Sequence, residues 1–167
     1  MTAIEPNAFW EFLKSRGIKF VSGVPDSTFK KTYDQMVEDP EIRYVPAVRE
    51  DVALGIASAV YFQGGVGAVI MQNSGIGNVV NPLTSFSLMY QVPVLLIVGW
   101  RGYGGPTNDA PEHRAMGAKS PEILETLEIP FEILETEGFE NTIDRLLATM
   151  NEKSVPGALL VRSGVVL

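Results

Sequence analysis

Gly67-Ala68-Val69-Ile70-Met71-Gln72-Asn73-Ser74-Gly75-Ile76-Gly77-Asn78 runs from an unbroken apolar stretch into a polar, glycine-bearing loop. A short apolar run without polar alternation is the pattern of a strand buried on both faces, as in a parallel sheet covered by helices. Earlier in the chain, Tyr44-Val45-Pro46-Ala47-Val48-Arg49-Glu50-Asp51 sits between an expected strand and an expected helix. In an open parallel sheet, ligands bind where the loops at the carboxyl ends of the strands diverge, so Glu50 and the Gln72–Asn78 loop should share one edge.

Outward from these two segments, apolar runs alternate with helix-period segments, the signature of βα units. Six strands are predicted, at 19–22, 42–45, 67–71, 93–98, 131–134 and 158–161. The fold class is therefore α/β, with a mainly six-stranded parallel sheet in a three-layer α/β/α arrangement and one domain over residues 1–167. A first helix over 6–16 puts Phe9, Phe12 and Leu13 on one face and ends near Gly17, a candidate left-handed cap. A second, over 27–38, follows Asp26 and Ser27, either of which can cap it. A third, over 49–62, is read as turning Val52, Ala53, Ile56, Ala57 and Val60 toward the sheet. A further helix ends near Tyr90, either starting at an Asn81 cap or beginning earlier and bending at Pro82. From Gly99 to about Lys119, glycine and proline recur in what reads as one long loop, a length that usually serves a site or a partner.

The chain has 167 residues, enough for one sizeable core. With 46% hydrophobic residues and a mean hydropathy of +0.12, it is too apolar for disorder. A net charge of −7 argues against binding a nucleic-acid backbone, which requires clustered Lys and Arg. The absence of cysteine and the single histidine exclude disulfides, thiolate nucleophiles, and Cys- or His-cluster metal sites, so no metal ligands are assigned. No basic leader pattern opens the sequence and no apolar run reaches the about 18 residues of a membrane span, so a cytoplasmic protein without membrane attachment is expected.

The expected carboxyl edge presents Val24-Pro25-Asp26-Ser27, Arg49-Glu50, Gln72 to Asn78, and Trp100-Arg101-Gly102-Tyr103. An acid in the first turn of a helix is favoured by the free amides and the helix dipole alone. A functional Glu50 would need a desolvated site, in which its carboxyl could share a proton with a weakly basic nitrogen. The residues Gln72, Asn73, Ser74 and Asn78 equally suit a hydrogen-bonded turn and helix cap. A dinucleotide fingerprint fails because its third glycine would fall at Val80, and no P-loop is present. Arg49, Arg101, His113 and Arg114 are candidate cations for an anionic substrate, and Asp109 and Glu112 could pair with them.

Four ordered segments, Gln72–Asn78, Asn81-Pro82-Leu83-Thr84-Ser85, Pro93–Gly102 and Asp109-Ala110-Pro111-Glu112-His113-Arg114-Ala115-Met116-Gly117, closely resemble the phosphonopyruvate decarboxylases. Sulfopyruvate decarboxylases share the Arg-Glu and Gln-Asn-Ser-Gly-x-Gly-Asn pieces. The Trp-Arg-Gly and Asp-x-Pro-x-His pieces favour the phosphonopyruvate side. The resemblance covers nearly the whole chain and implies the pyrimidine-binding domain fold of thiamine diphosphate enzymes.

It further implies Glu50 as the catalytic acid at N1′ of the cofactor's aminopyrimidine, with Pro25, Glu50, Gln72, Asn73 and Asn78 around the cofactor. Ser27, Gln72, Asn73, Arg101 and His113 are then candidate substrate contacts. The family's Gly-Asp-Gly and following Asn-Asn, which bring Mg2+ to the diphosphate, are missing, and Thr107-Asn108-Asp109 is no substitute. The expectation is an α subunit of a hetero-oligomer, with thiamine diphosphate and Mg2+ completed by a β subunit and a small anionic 2-oxo acid as substrate. A non-catalytic binding or regulatory module of the same fold is the alternative.

Overall fold

The computed structural model describes residues 3–105 and 109–167. Six strands, β1 (Phe20–Gly23), β2 (Arg43–Pro46), β3 (Ala68–Gln72), β4 (Leu95–Trp100), β5 (Phe131–Ile133) and β6 (Gly157–Arg162), form one sheet. Its order is β2-β1-β3-β4-β6-β5, and every pairing is parallel. The six helices are α1 (Pro6–Ser15), α2 (Lys30–Glu38), α3 (Glu50–Ser58), α4 (Ile76–Pro82), α5 (Arg114–Thr126) and α6 (Phe139–Lys153).

Strands β3, β4 and β6 are buried on both faces, which is why they read as continuous apolar runs rather than alternating ones. One face packs under α1, α2 and α6 through Phe9, Trp10, Leu13, Met36, Ile143, Leu146 and Met150, against Val21, Ile70, Ile97 and Leu159. The opposite face packs under α3, α4 and α5 through Ala53, Leu54, Ile76, Val79 and Leu124, against Val69, Met71, Leu96, Val98 and Leu160. The predicted three-layer α/β/α sandwich is the observed one.

Gly17 caps α1 at φ 82°, where its amide and that of Ile18 reach back to Lys14 and Leu13. Other boundaries differ from the sequence reading. The second helix begins at Lys30 rather than 27, because Asp26 Oδ1 accepts the Thr28 amide (3.2 Å) and holds a separate turn before it.

In α3 the buried residues are Ala53, Leu54, Ala57 and Ser58, a phase about one residue later than expected. Val52 points outward, while Ile56 and Val60 line a cavity beside Phe20, Arg43 and Val45 at the β2 edge. The helix through Pro82 begins well before it and continues as a π-helical turn over Leu83–Leu88. Thr84 and Ser85 hydroxyls donate to the Val80 and Asn81 carbonyls there, satisfying backbone acceptors around the proline.

The long loop after β4 is shorter than predicted, since α5 already starts at Arg114. Gly117, read as a loop glycine, is helical: a Cβ on it would lie 2.4 Å from the Gly102 carbonyl. The absent side chain lets α5 lie directly on the β4 loop.

From β1 the chain crosses to β2 on one side, and from β3 it crosses to β4 on the other. The crevice outside the carboxyl ends of β1 and β3 is therefore the sheet's topological switch point. Val24-Pro25-Asp26 and Gln72-Asn73 leave the sheet there.

Candidate active site

Arg49 is extended at φ −153°, ψ 155°, and Glu50 follows as the first residue of α3. The Arg49 guanidinium turns to Asp51 with hydrogen bonds of 3.1 and 3.0 Å, which holds the Asp51 carboxyl below its ordinary range. Half-buried Glu50 reaches over the start of α4, where Asn78 Nδ2 donates to its Oε2 at 2.7 Å. Glu50 Cγ and Cδ fill the space beside Gly75. The two segments that carried the sequence reading thus meet, through Glu50, Gly75 and Asn78.

Within the β3 loop the polar side chains separate into different tasks. The amide of Asn73 is buried, with Nδ2 donating to the Arg101 carbonyl and to Ser120 Oγ, both at 3.0 Å, while Oδ1 accepts the Arg101 amide at 3.1 Å. Asn73 therefore pins the β4 loop. Gln72 remains half-buried at the edge, its Oε1 accepting Ser74 Oγ at 2.8 Å and its Nε2 lying 3.5 Å from Asp26 Oδ1. Exposed Pro25 and Ser27 line an open cavity of about 350 Å3 with Asp26, Lys30, Tyr33 and Asp34.

Arg101, directly after β4, forms a two-pronged pair with Asp109 (2.8 and 2.6 Å) and donates through Nη1 to Ser27 Oγ at 3.1 Å. Asp109 also accepts the amides of Gly102 and Ala110, each at 2.8 Å, and faces His113 Nδ1 at 3.0 Å. The Arg101 guanidinium, with those amides and the imidazole, holds the Asp109 carboxyl far below the usual carboxylate range. The expected pairing of a site cation with Asp109 is the observed one. Thr107 and Asn108, which precede it in sequence, lie outside the described residues.

In the sequence Asp26 reads as a helix cap on the carboxyl edge, with no role of its own in the site. It is 7% exposed, and its Oδ2 is buried without a hydrogen-bond partner among the described residues, as is the neighbouring Thr28 Oγ1. Both atoms crowd Gly99, where a Cβ would fall 1.9 Å from Asp26 Oδ2 and 2.8 Å from Thr28 Oγ1. A buried carboxyl oxygen left unbonded at a topological switch point makes Asp26 a candidate contact for a ligand or a water. A glycine near the end of the otherwise apolar strand β4 is the available sequence signal. Lys30, in the same cavity lining, is held at φ 39°, a conformation lysine adopts at a cost of about 1 to 3 kcal/mol.

Residues 6–146 match the family model described as thiamine pyrophosphate enzyme, N-terminal TPP binding domain. The chain belongs to this family. A phosphonopyruvate decarboxylase of Streptomyces viridochromogenes is 31% identical over 156 residues, covering 92% of this chain and 39% of the relative. Sulfopyruvate decarboxylase α subunits of Methanothermobacter thermautotrophicus and Methanocaldococcus jannaschii are each 37% identical, over 74% of this chain and 74% and 72% of their own lengths. The chain thus spans well under half of the Streptomyces relative and most of the methanogen ones. As a thiamine pyrophosphate enzyme N-terminal domain, it carries its edge loops on the all-parallel six-stranded sheet described above. Among the described residues, no helix is long and apolar enough to cross a membrane.

Proposed function

We propose that this chain is the α subunit of a thiamine diphosphate-dependent decarboxylase that converts phosphonopyruvate to phosphonoacetaldehyde and CO2. The observation that carries the reading is the Glu50 carboxyl, seated in the gap left by Gly75 and held by Asn78 through Oε2. Oε1 has no hydrogen-bond partner among the described residues and can take a ring nitrogen. The residues present therefore fit the pyrimidine half of the cofactor, with Glu50 at the ring nitrogen and Gln72 and Pro25 on the adjoining edge. When bound, thiamine diphosphate supplies the electron sink that lets a 2-oxo acid lose CO2.

The chain's own residues do the rest. Glu50 Oε1 would hydrogen-bond the ring nitrogen and share a proton with it. Arg101 uses three of its five N–H donors on Asp109 and Ser27 among the described residues, which orients the guanidinium beside the β1 loop. Its remaining donors and Ser27 suit a phosphonate or sulfonate. Mg2+ and the diphosphate are assigned to a β subunit in a cytoplasmic hetero-oligomer. Exposed Val48 and Val52, which flank Glu50 in the chain, supply apolar surface for that subunit to cover. The relatives named as α subunits support the division of labour.

The 37% identity to sulfopyruvate decarboxylase α subunits supports a second reading, with sulfopyruvate as substrate and sulfoacetaldehyde as product. The two are separated by measuring aldehyde formation from each acid, with thiamine diphosphate, Mg2+ and a co-expressed β subunit. Turnover is expected only in the mixture, and Glu50→Gln should lower it about 100-fold or more. A folded complex inactive on both acids would favour the non-catalytic module, and unchanged turnover in Glu50→Gln would remove Glu50 from the chemistry.

A further inference from the structure

Asp109 draws together five donors from three sources: Nε and Nη2 of Arg101, the amides of Gly102 and Ala110, and the imidazole of His113. An ionised carboxylate can only accept. The guanidinium and the two amides cannot give up their protons in this range, so Asp109 is held as the anion. The 3.0 Å contact between Asp109 Oδ1 and His113 Nδ1 therefore requires the ring proton to sit on Nδ1. In the neutral ring, Nε2 is then a bare acceptor.

That assignment changes what His113 can do. A neutral ring with its lone pair on Nε2 repels a phosphonate, sulfonate or carboxylate oxygen, and Nε2 can meet such a group only after taking up a proton. Nε2 therefore meets the substrate anion only while it carries a proton, whereas Arg101 is a cation at any pH. His113 is suited to carrying one proton.

We propose that Asp109 is a positioning residue that locks His113 with Nδ1–H on its carboxylate, leaving Nε2 to carry a proton to the substrate. The role in turnover rests on the decarboxylase reading. That reaction consumes one proton: the bond between the keto carbon and the carboxylate breaks, CO2 leaves, and the bonding pair stays on the former keto carbon. A proton from His113 Nε2 forms the new C–H bond of the aldehyde, and solvent returns the proton to Nε2. Ser27, bonded to Arg101 Nη1, ties this cluster to the loop after β1 at the switch point.

His113 is the single histidine of the chain, so its ring nitrogens can be read without ambiguity. The experiment is long-range 1H–15N correlation on the 15N-labelled chain, at a pH where the imidazole is neutral, for wild type and Asp109→Asn. The wild-type ring is expected mainly as the Nδ1–H form, and Asp109→Asn is expected to move it toward Nε2–H. A wild-type ring found as Nε2–H overturns the proposal, and this needs no variant to fold.

The second readout is turnover of the complex. Asp109→Asn and His113→Gln should each lower kcat about 100-fold with little change in KM, and the double variant should lose no more than either alone. Additive losses, or a KM effect only, overturn the proton-carrier role even where the tautomer is as expected. A wild-type complex inactive on both acids, with its ring in the Nδ1–H form, refutes the decarboxylase reading and leaves the positioning of His113 standing.

Discussion

The carboxylate arm of Glu50 occupies the space that a side chain at residue 75 would need: a Cβ on Gly75 would lie 2.5 Å from Glu50 Cγ and 2.8 Å from its Oε1. Gly75 itself has an ordinary right-handed backbone at φ −68°, ψ −16°, so glycine is not required there by conformation. Alanine should fold without strain and displace Glu50. Because a misplacement of about 1 Å can reduce turnover about 100-fold, Gly75→Ala is expected to lose 10- to 100-fold in kcat/KM with a melting temperature equal to or above wild type. Normal turnover in a folded Gly75→Ala complex would mean that the seat of Glu50 is immaterial.

Asp26 offers a test with opposite signs for stability and activity. Its Oδ2 is buried with no partner among the described residues, a state that costs free energy in the folded protein. Asparagine retains the Oδ1 that accepts the Thr28 amide and removes the charge. Asp26→Asn should therefore be as stable as wild type or about 1 kcal/mol more so by urea unfolding, while turnover of the complex falls at least 10-fold. A clear loss of stability would instead show that the oxygen is paired, by a bound water for example.

Most of the fold was legible because β3, β4 and β6 are covered on both faces and so appear as unbroken apolar runs, with helical periods between them. The misjudged features depend on contacts distant in sequence. Val52 and Leu54 differ in burial because of where α3 lies against the sheet, and its apolar residues allow either phase. Gly117 looked like a loop residue because its reason for being glycine, the carbonyl of Gly102, comes from another element.

At the site, Glu50, Gly75 and Asn78 could be selected because they sit in two loops that a parallel sheet must place at one edge. Asp26 could not, since a short acid before a helix has an adequate local explanation as a cap, and only the fold reveals its unbonded oxygen. Arg101 was visible as a cation, but how many donors it keeps for a ligand depends on Asp109.

Acid should reveal the Asp109 cluster. The folded carboxyl lies well below the ordinary range, principally because of Arg101, whereas in the unfolded chain it takes a proton near pH 4. A depressed folded value contributes stability that is complete above the unfolded pKa and is lost as pH falls toward the folded one. Asp109→Asn should thus be less stable than wild type at pH 7, and the gap between their urea midpoints should narrow progressively from about pH 5 to pH 2. A gap independent of pH would mean that the carboxylate charge contributes nothing to holding the β4 loop.

Two glycine-to-alanine changes should act in opposite directions, for reasons visible in their surroundings. Gly55 lies in the exposed interior of α3, and a Cβ there would meet nothing within 4 Å. Gly55→Ala should stabilise the isolated chain by about 1 kcal/mol through helix propensity. In α5, a Cβ on Gly117 would lie 2.4 Å from both the carbonyl carbon and oxygen of Gly102. Those are backbone atoms of a residue held at φ 75°, and the Gly117 carbonyl is itself bonded by Trp100 Nε1 at 2.8 Å, so neither side can give way by a rotamer change. Gly117→Ala should destabilise by about 1 to 3 kcal/mol, the usual range for overpacking. Because Arg101 immediately precedes Gly102 and His113 lies one helical turn before Gly117, the same displacement should separate both from Asp109. The expected signature is loss of the Nδ1–H tautomer of His113 at a temperature where the chain is still folded. Stability lost with the tautomer retained would confine the Gly102–Gly117 contact to packing and leave the cluster to be held by Asp109 alone.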